Sequence, residues 1–353
     1  MALSRNELHR TLGPWVDRPF RAKQVFEALH KRRVPDFEAM TELSLSLRQR
    51  LSESFRIGLP EVRESRRSAD GTVKVLFALH DGASIEAVDI PDGRRRTFCI
   101  SSQAGCPLAC RFCVTGYWGA GRDLSAGEIV GQVYSLLGQE DTRKVTTEDE
   151  LPGINIVFMG MGEPLLNADA VRKSIELLAE TVAPRRMTLS TVGILPALEE
   201  MISWPVRPNL AVSLHAPDDE RRSRIMPVNR NYPLRDLMAL LRRFPVAKGR
   251  RITFEYILIR DFNDQPETAR ALAALLRDLP SKVNLIPINP DPVLGGRMQP
   301  PDLATVLAFQ EELKARGVFA TIRRQRGDEV SGACGQLRAF ARDPRGFRTP
   351  VNL

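Results

Sequence analysis

The sequence predicts an α/β protein: a parallel sheet curved into a full or partial barrel, a small helical module in front of it, and a β-hairpin between them. Three observations carry that prediction. From Thr97 onward, short β-branched and apolar runs alternate with longer segments of helical periodicity, as repeated βα units do. Residues 72–90 instead carry two apolar runs on either side of Asp81-Gly82, the pattern of a hairpin. In the first 60 residues the apolar positions fall at helical spacing.

Taken in order, Arg21–His30 places Val25 and Leu29 on one helical face, and Leu43–Leu51 continues the habit, so residues 1–60 are expected to form a helical accessory domain. Thr72–Leu79 and Ala83–Ile90 are the hairpin strands of a connector spanning 61–96. The barrel domain, 97–353, takes strands at Thr97–Ser101, Ile154–Met159, Met187–Thr191, Leu210–Leu214, Ile252–Ile259, Val283–Ile288 and Val318–Ile322. Its helices are expected at Ala126–Leu137, Ala168–Glu180, Leu234–Phe244, Pro266–Arg277 and Pro301–Arg316. The polar segment Glu140–Glu150 reads as a surface loop.

At 353 residues and 43% hydrophobic content, the chain has enough apolar surface for one large core and a smaller one. No apolar run reaches the roughly 18 residues a membrane helix needs. The first residues lack the charged-then-apolar pattern of a signal peptide, so a cytoplasmic location and no membrane partner are expected. An odd total of five cysteines argues against a disulfide framework. The net charge of +8 gathers in arginine-rich clusters, among them Arg94–Arg96, Arg185-Arg186, Arg221-Arg222 and Arg323-Arg324 with Arg326. A polyanion such as RNA fits them. The alternative is that they solvate helix faces or pair with the 43 acidic residues.

The most specific chemistry lies in Cys106-Pro-Leu-Ala-Cys110-Arg-Phe-Cys113. Three thiolates in one short loop can hold three irons of a 4Fe–4S cluster and leave the fourth open to a cofactor. An open iron is the place for S-adenosylmethionine, a source of radical chemistry. A structural zinc site with Cys99 as fourth ligand is the alternative, although structural zinc usually takes two separated knuckles.

The other suspicious motifs fall where predicted strands end, the rim at which barrels place chemistry. Gly160-Met-Gly-Glu163-Pro is a glycine-rich turn in which Gly162 lets a ligand approach the backbone and Glu163 suits a ligand amine. Ser190, Ser213, Leu214, His215 and Asn289 are candidate contacts for a cofactor's carboxylate, ribose and adenine, each with a scaffold alternative. Cys334 sits in a Gly-flanked loop that argues for accessibility, whereas Cys99 lies in a strand and is equally readable as an inert core thiol.

The segment Arg95–Cys106, the cysteine triplet, Gly160–Asn167, Leu189-Ser-Thr191, Ser213-Leu-His-Ala-Pro217, Asn284–Pro287, Arg326-Gly-Asp328 and Ala333–Leu337 together resemble the RlmN/Cfr family. These are radical S-adenosylmethionine methyltransferases acting on an adenine ring carbon of RNA. The resemblance covers nearly the whole chain, including Pro19–Val25, and departs from the family at Arg122-Asp123-Leu124, where Arg-Asn-Leu is usual. It implies a radical SAM partial (β/α) barrel, one 4Fe–4S cluster on Cys106, Cys110 and Cys113, and two S-adenosylmethionines per turnover. It also implies a route. Cys334 accepts a methyl group, a 5′-deoxyadenosyl radical activates that methyl, and the methylene adds to the base as a protein–RNA crosslink. Glu86 then takes a proton, and Cys99 attacks Cys334 in a transient disulfide that frees the RNA. Substrates so implied are 23S ribosomal RNA and transfer RNA, methylated at adenine C2, with C8 methylation of 23S ribosomal RNA as the alternative. A reductant such as flavodoxin or ferredoxin and a monomeric protein complete the expectation. A radical enzyme acting on a protein or small molecule, and a non-catalytic Fe–S or zinc RNA-binding module, are the rival readings.

Overall fold

The structure, a computed structural model, describes residues 1–138, 153–296, 298–323 and 326–337. The loop expected at Glu140–Glu150 and Arg324 of the last basic cluster lie outside these residues. One ten-stranded sheet runs in chain order from β1 (Glu61–Arg67) through β2 (Val73–Ala78), β3 (Ser84–Asp92), β4 (Arg95–Ile100), β5 (Ile154–Phe158), β6 (Met187–Thr191), β7 (Asn209–Ser213), β8 (Ile252–Leu258) and β9 (Ser281–Pro287) to β10 (Ala320–Ile322). The pairings from β1 to β4 are antiparallel, and those from β4 to β10 are parallel. No pairing among the described residues joins β10 back to the start, so the parallel part is an open, partial barrel. β8 is buried along nearly its whole length, as expected of a parallel strand covered on both faces.

β4 is the junction. It pairs antiparallel with β3 (Val88 opposite Cys99) and parallel with β5 (Cys99 opposite Val157), so the hairpin region and the barrel share one sheet. β1 was not expected from the sequence. Its residues, Glu-Val-Arg-Glu-Ser-Arg-Arg, are almost all exposed, and an edge strand with two wet faces carries no apolar alternation to detect. The expected last strand at Val318–Ile322 begins two residues later, at Ala320.

In the helical module, α1 (Arg5–Leu12) starts in a reciprocal capping box of Ser4 and Glu7. α2 (Phe20–Glu27) runs into a π turn at Ala28–Arg32, and α3 (Leu45–Ser54) is capped by Ser44. The buried His30 docks this module on the barrel, its Nδ1 lying 3.0 Å from Tyr134 Oη of α4 (Ala126–Leu137). Gly131 of α4 lets Pro60 pass closely, since a Cβ there would stand 2.6 Å from the proline Cδ.

The remaining helices are α5 (Ala168–Leu178), α6 (Leu195–Glu200), α7 (Asp219–Ile225), α8 (Leu234–Arg243), α9 (Pro266–Leu275) and α10 (Leu303–Lys314). α6 and α7, missed in the sequence, span six and seven residues, too short for a stable periodic signal. Among the described residues no helix is long and apolar enough to cross a membrane.

Candidate active site

The loop after β4 is fixed at both ends. Gln132 of α4 clamps Ser101, accepting from its N–H at 2.8 Å and donating to its carbonyl at 2.9 Å. Beyond it, Ala104–Cys106 lies backbone against backbone on Gly119–Gly121: the Cys106 N–H donates to the Gly119 carbonyl at 2.8 Å. Gly121 has φ +57, and a Cβ there would stand 1.6 Å from the Ala104 oxygen, so only glycine fits. Farther along, the Arg111 N–H donates to the Ile225 carbonyl, the last residue of α7, at 2.9 Å. The cysteine loop is thus braced from three directions.

Cys106, Cys110 and Cys113 line one cavity together with Gly162, Glu163, Ser190, Ser213, His215 and Cys334. Burial, and then the neighbouring Cys106 and Cys113 thiols, push the Cys110 thiol well above its ordinary range; burial likewise raises Cys113. Such thiols stay neutral unless a strong positive centre holds them as thiolates, which is what iron supplies. No three His, Cys, Asp or Glu side chains among the described residues converge on a single ion position. Thiolates that each bind a different iron of a cluster need not do so. The zinc alternative needed Cys99 beside the triplet. Cys99 instead lies buried in β4, in electrostatic reach of Cys334 and Arg323, and burial raises its thiol to about 12. The donor set therefore fits the cluster better than a four-thiolate zinc site.

The turn after β5 is tied to the cysteine loop. The Gly160 N–H donates to the Ile100 carbonyl, and the Ser102 and Gln103 N–H groups donate to the Met161 carbonyl. Gly162 has φ +93 and packs on Gln103, leaving no room for a side chain. Glu163 is buried, and its carboxylate accepts from the Leu165 N–H at 3.1 Å and the Val192 N–H at 3.0 Å; burial still raises its pKa to about 7. Gln103 relays to it, accepting from the Glu163 N–H at 2.9 Å while donating to Asp123 at 2.7 Å. Asp123, the departure from the family pattern, therefore serves as an acceptor, a task the amide oxygen of asparagine performs equally.

At the end of β7, His215 takes φ +61 and is buried. Its Nδ1 accepts from the Ile257 N–H at 3.1 Å, and its ring meets Phe112 of the cysteine loop edge-on at 4.6 Å. Burial, with the Arg222 charge beside it, lowers its pKa to about 3, so the ring is neutral. The side chain of Leu214 is fully buried, and its carbonyl accepts from Arg222. Asn289 holds the Cys334 loop, donating to the Cys334 carbonyl at 3.1 Å, and lines an adjoining cavity with Cys334 and Arg323. Glu86, on β3, is 1% exposed and paired with Lys74 at 3.1 Å. By strand alternation it shares a face of β3 with Val88, the partner of Cys99, and with Ile90.

Three functional-looking residues escaped the sequence. Arg323 lines the cavity beside Cys334 and lies in electrostatic reach of Cys334, Glu255 and Cys99. Glu255 is buried in the same cavity. Arg222, which reads in the sequence as part of a basic surface cluster, is fully buried and donates to the carbonyls of Val192, Ser213 and Leu214.

The chain is similar to known proteins over nearly its whole length. Residues 100–273 match the model of the radical SAM superfamily, and residues 1–57 match the ribosomal RNA large subunit methyltransferase N-terminal domain. A probable dual-specificity RNA methyltransferase RlmN of Gemmatimonas aurantiaca is 46% identical over 348 residues, 96% of this chain and 92% of that protein. The dual-specificity RNA methyltransferase RlmN of Halorhodospira halophila is 46% identical over 340 residues, 95% of this chain and 91% of that protein. The crystal structure of a radical SAM methyltransferase from Sphaerobacter thermophilus superposes with a TM-score of 0.89 at 39% identity, covering 96% of this chain and 98% of that one.

Proposed function

The chain belongs to the RlmN family of radical SAM RNA methyltransferases, and from that premise we propose that it methylates adenine C2 in 23S ribosomal RNA and in transfer RNA. The observation that carries this reading is the company of Cys334: it lines one cavity with the cysteine triplet and lies in electrostatic reach of Cys99. A thiol near both a radical source and a second thiol suits a methyl group that is first stored on protein and then handed on.

Each residue then has a task. Cys106, Cys110 and Cys113 would hold the 4Fe–4S cluster, and Gly162, Glu163, Ser190, Ser213, His215, Asn289 and the backbone of Leu214 would face S-adenosylmethionine. When bound, cluster and cofactor supply the one-electron chemistry that makes a stored methyl group reactive toward an aromatic carbon. Cys334 accepts the methyl on sulfur and loses its thiol proton. After the methylene has joined the base, Glu86 takes the C2 proton, and the adduct's unpaired electron would return to the one-electron donor that started the cleavage. Cys99 sulfur then bonds to Cys334 sulfur as the sulfur–methylene bond breaks, and the Cys99 hydrogen completes the new methyl group. One S-adenosylmethionine would supply the methyl and a second would be reductively cleaved, two per turnover, and the two electrons lost by the thiols equal those used in that cleavage. Rearming Cys99 and Cys334 needs an outside reductant such as flavodoxin or ferredoxin.

Neutral His215 and the apolar surroundings of the cavity suit an uncharged purine better than a phosphate. The backbone of the RNA is left to the exposed arginines, so binding should weaken with salt. The test is anaerobic turnover with unmodified 23S ribosomal RNA and S-adenosylmethionine, followed by nucleoside mass spectrometry. The expected product is 2-methyladenosine. Formation of 8-methyladenosine instead would move the chain to the alternative regiochemistry.

A further inference from the structure

Lys74 and Glu86 form a diagonal cross-strand pair on β2 and β3, Nζ to Oε1 at 3.1 Å, with 4% and 1% of their side chains exposed. A buried ion pair recovers little of the desolvation it costs, so its presence calls for a task other than stability. Lys74 has a second contact that suggests one: its Nζ lies 3.4 Å from the Ser331 carbonyl, three positions before Cys334. Ser331 holds φ +50, a left-handed conformation that costs a non-glycine residue roughly 1 kcal/mol. Some neighbouring group must hold that residue in place.

The rest of this loop leans on the same part of the sheet. The Gly327 N–H donates to Asp70 Oδ2 at 3.0 Å, and Glu329 Oε2 accepts from the Ala69 N–H at 2.8 Å and from Ser68 Oγ at 3.2 Å. All three partners lie in the turn between β1 and β2. The thiol-bearing loop and the strand carrying Glu86 thus have a common anchor, and Lys74 touches both.

We infer that Lys74 is a positioning residue for product release: its ammonium holds the Glu86 carboxylate and the Ser331 carbonyl together, and so sets the proton acceptor and the Cys334 sulfur in one arrangement around the crosslinked base. This rests on the reading of Glu86 as the group that takes the C2 proton. Methyl loading of Cys334 does not use Glu86, so loss of Lys74 should slow loading far less than release.

The test uses the full-length, cluster-loaded protein in a single turnover with 23S ribosomal RNA. Two quantities are followed: methylation of Cys334 by peptide mass, and RNA freed from protein on a denaturing gel. For Lys74→Gln the expected result is loading within about twofold of the unsubstituted protein but release slowed roughly tenfold or more, with RNA covalently held. Lys74→Arg, which keeps the charge, restores most of the release rate. Release at the normal rate in Lys74→Gln, or loading lost in step with release, overturns the inference and leaves Lys74 a structural residue. A second measurement needs no Lys74 variant. Glu86→Ala removes the carboxylate partner of Lys74 and should raise hydrogen exchange across 327–334; unchanged exchange there overturns the inference as well. Glu86→Gln separates the two ideas. If it releases RNA normally, Glu86 is not the proton acceptor; if it traps RNA while Lys74→Gln does not, only the Lys74 assignment fails.

Discussion

An Arg222→Met substitution removes a guanidinium that lies fully buried under the ends of β6 and β7. Four acceptors lose their donor: the carbonyls of Leu214 (3.1 Å), Val192 (2.6 Å) and Ser213 (3.2 Å), and Asn229 Oδ1 (2.6 Å). Hydrogen bonds to a charged group contribute roughly 1.5 kcal/mol each at the low end, or about 6 kcal/mol for the set. Burial works against them. It lowers the Arg222 pKa from 12.5 to about 10. Because the side chain is charged in both the folded and unfolded states at neutral pH, a net burial cost of about 3 kcal/mol, left after the opposing attraction of Cys110 and Asp219, is present there, and methionine would not carry it. The net loss should be about 3 kcal/mol, and at about 2 °C per kcal/mol for a large domain the melting temperature should fall by roughly 6 °C. Differential scanning calorimetry of the apo protein reads this directly. Arg222→Lys, which keeps the charge and part of the bonding, should fall in between. The carbonyls concerned belong to the rim facing the cavity, and α7 braces the cysteine loop through Ile225 and Arg111. S-adenosylmethionine binding should therefore weaken along with stability. A melting temperature unchanged in Arg222→Met would refute the argument, because it would mean the four bonds contribute no more than the buried charge costs.

Two further outcomes follow from the same geometry. Burial raises the Glu163 pKa from 4.5 to about 7, so the folded state favours the protonated acid. Its contribution is fully present below about pH 4.5 and is lost as pH rises through about 7, so apo wild type should lose up to about 3 kcal/mol relative to Glu163→Gln across that window. A stability difference independent of pH would contradict this. Gly121→Ala would force a Cβ to 1.6 Å from the Ala104 oxygen, so the cysteine loop must move; iron and sulfide content after reconstitution should drop sharply. Gly58→Ala, also at positive φ but with nothing within 4 Å, should keep its iron and serves as the control.

Much of the architecture was legible because parallel strands and amphipathic helices impose strong periodicities. The strands at Met187–Thr191 and Ile252–Leu258 and the helix at Ala126–Leu137 stand where their apolar patterns place them. The cysteine loop was legible for a different reason: metal-binding spacing is local, and local information survives in one dimension. What was lost is what depends on burial of charge. Arg222 lies in a run of arginines, and nothing local separates the one that turns inward from Arg221, whose guanidinium pairs with Asp218 at the surface. Lys74 and Glu86 meet only because β2 and β3 pair in a particular register. Arg323 was one more basic residue until β10 carried it next to Cys334. The bond from Asn289 to the backbone of Cys334 is a long-range contact that no motif encodes.

The central claim is that the methyl group passes through Cys334 and that Cys99 frees the product. A single-turnover experiment with methyl-deuterated S-adenosylmethionine, sampled over time by peptide and nucleoside mass spectrometry, tests it most directly. The account predicts label on Cys334 first and on adenine C2 later, no label on RNA in Cys334→Ala, and labelled RNA held on protein in Cys99→Ala. Labelled RNA formed by Cys334→Ala, or normal release from Cys99→Ala, would contradict it.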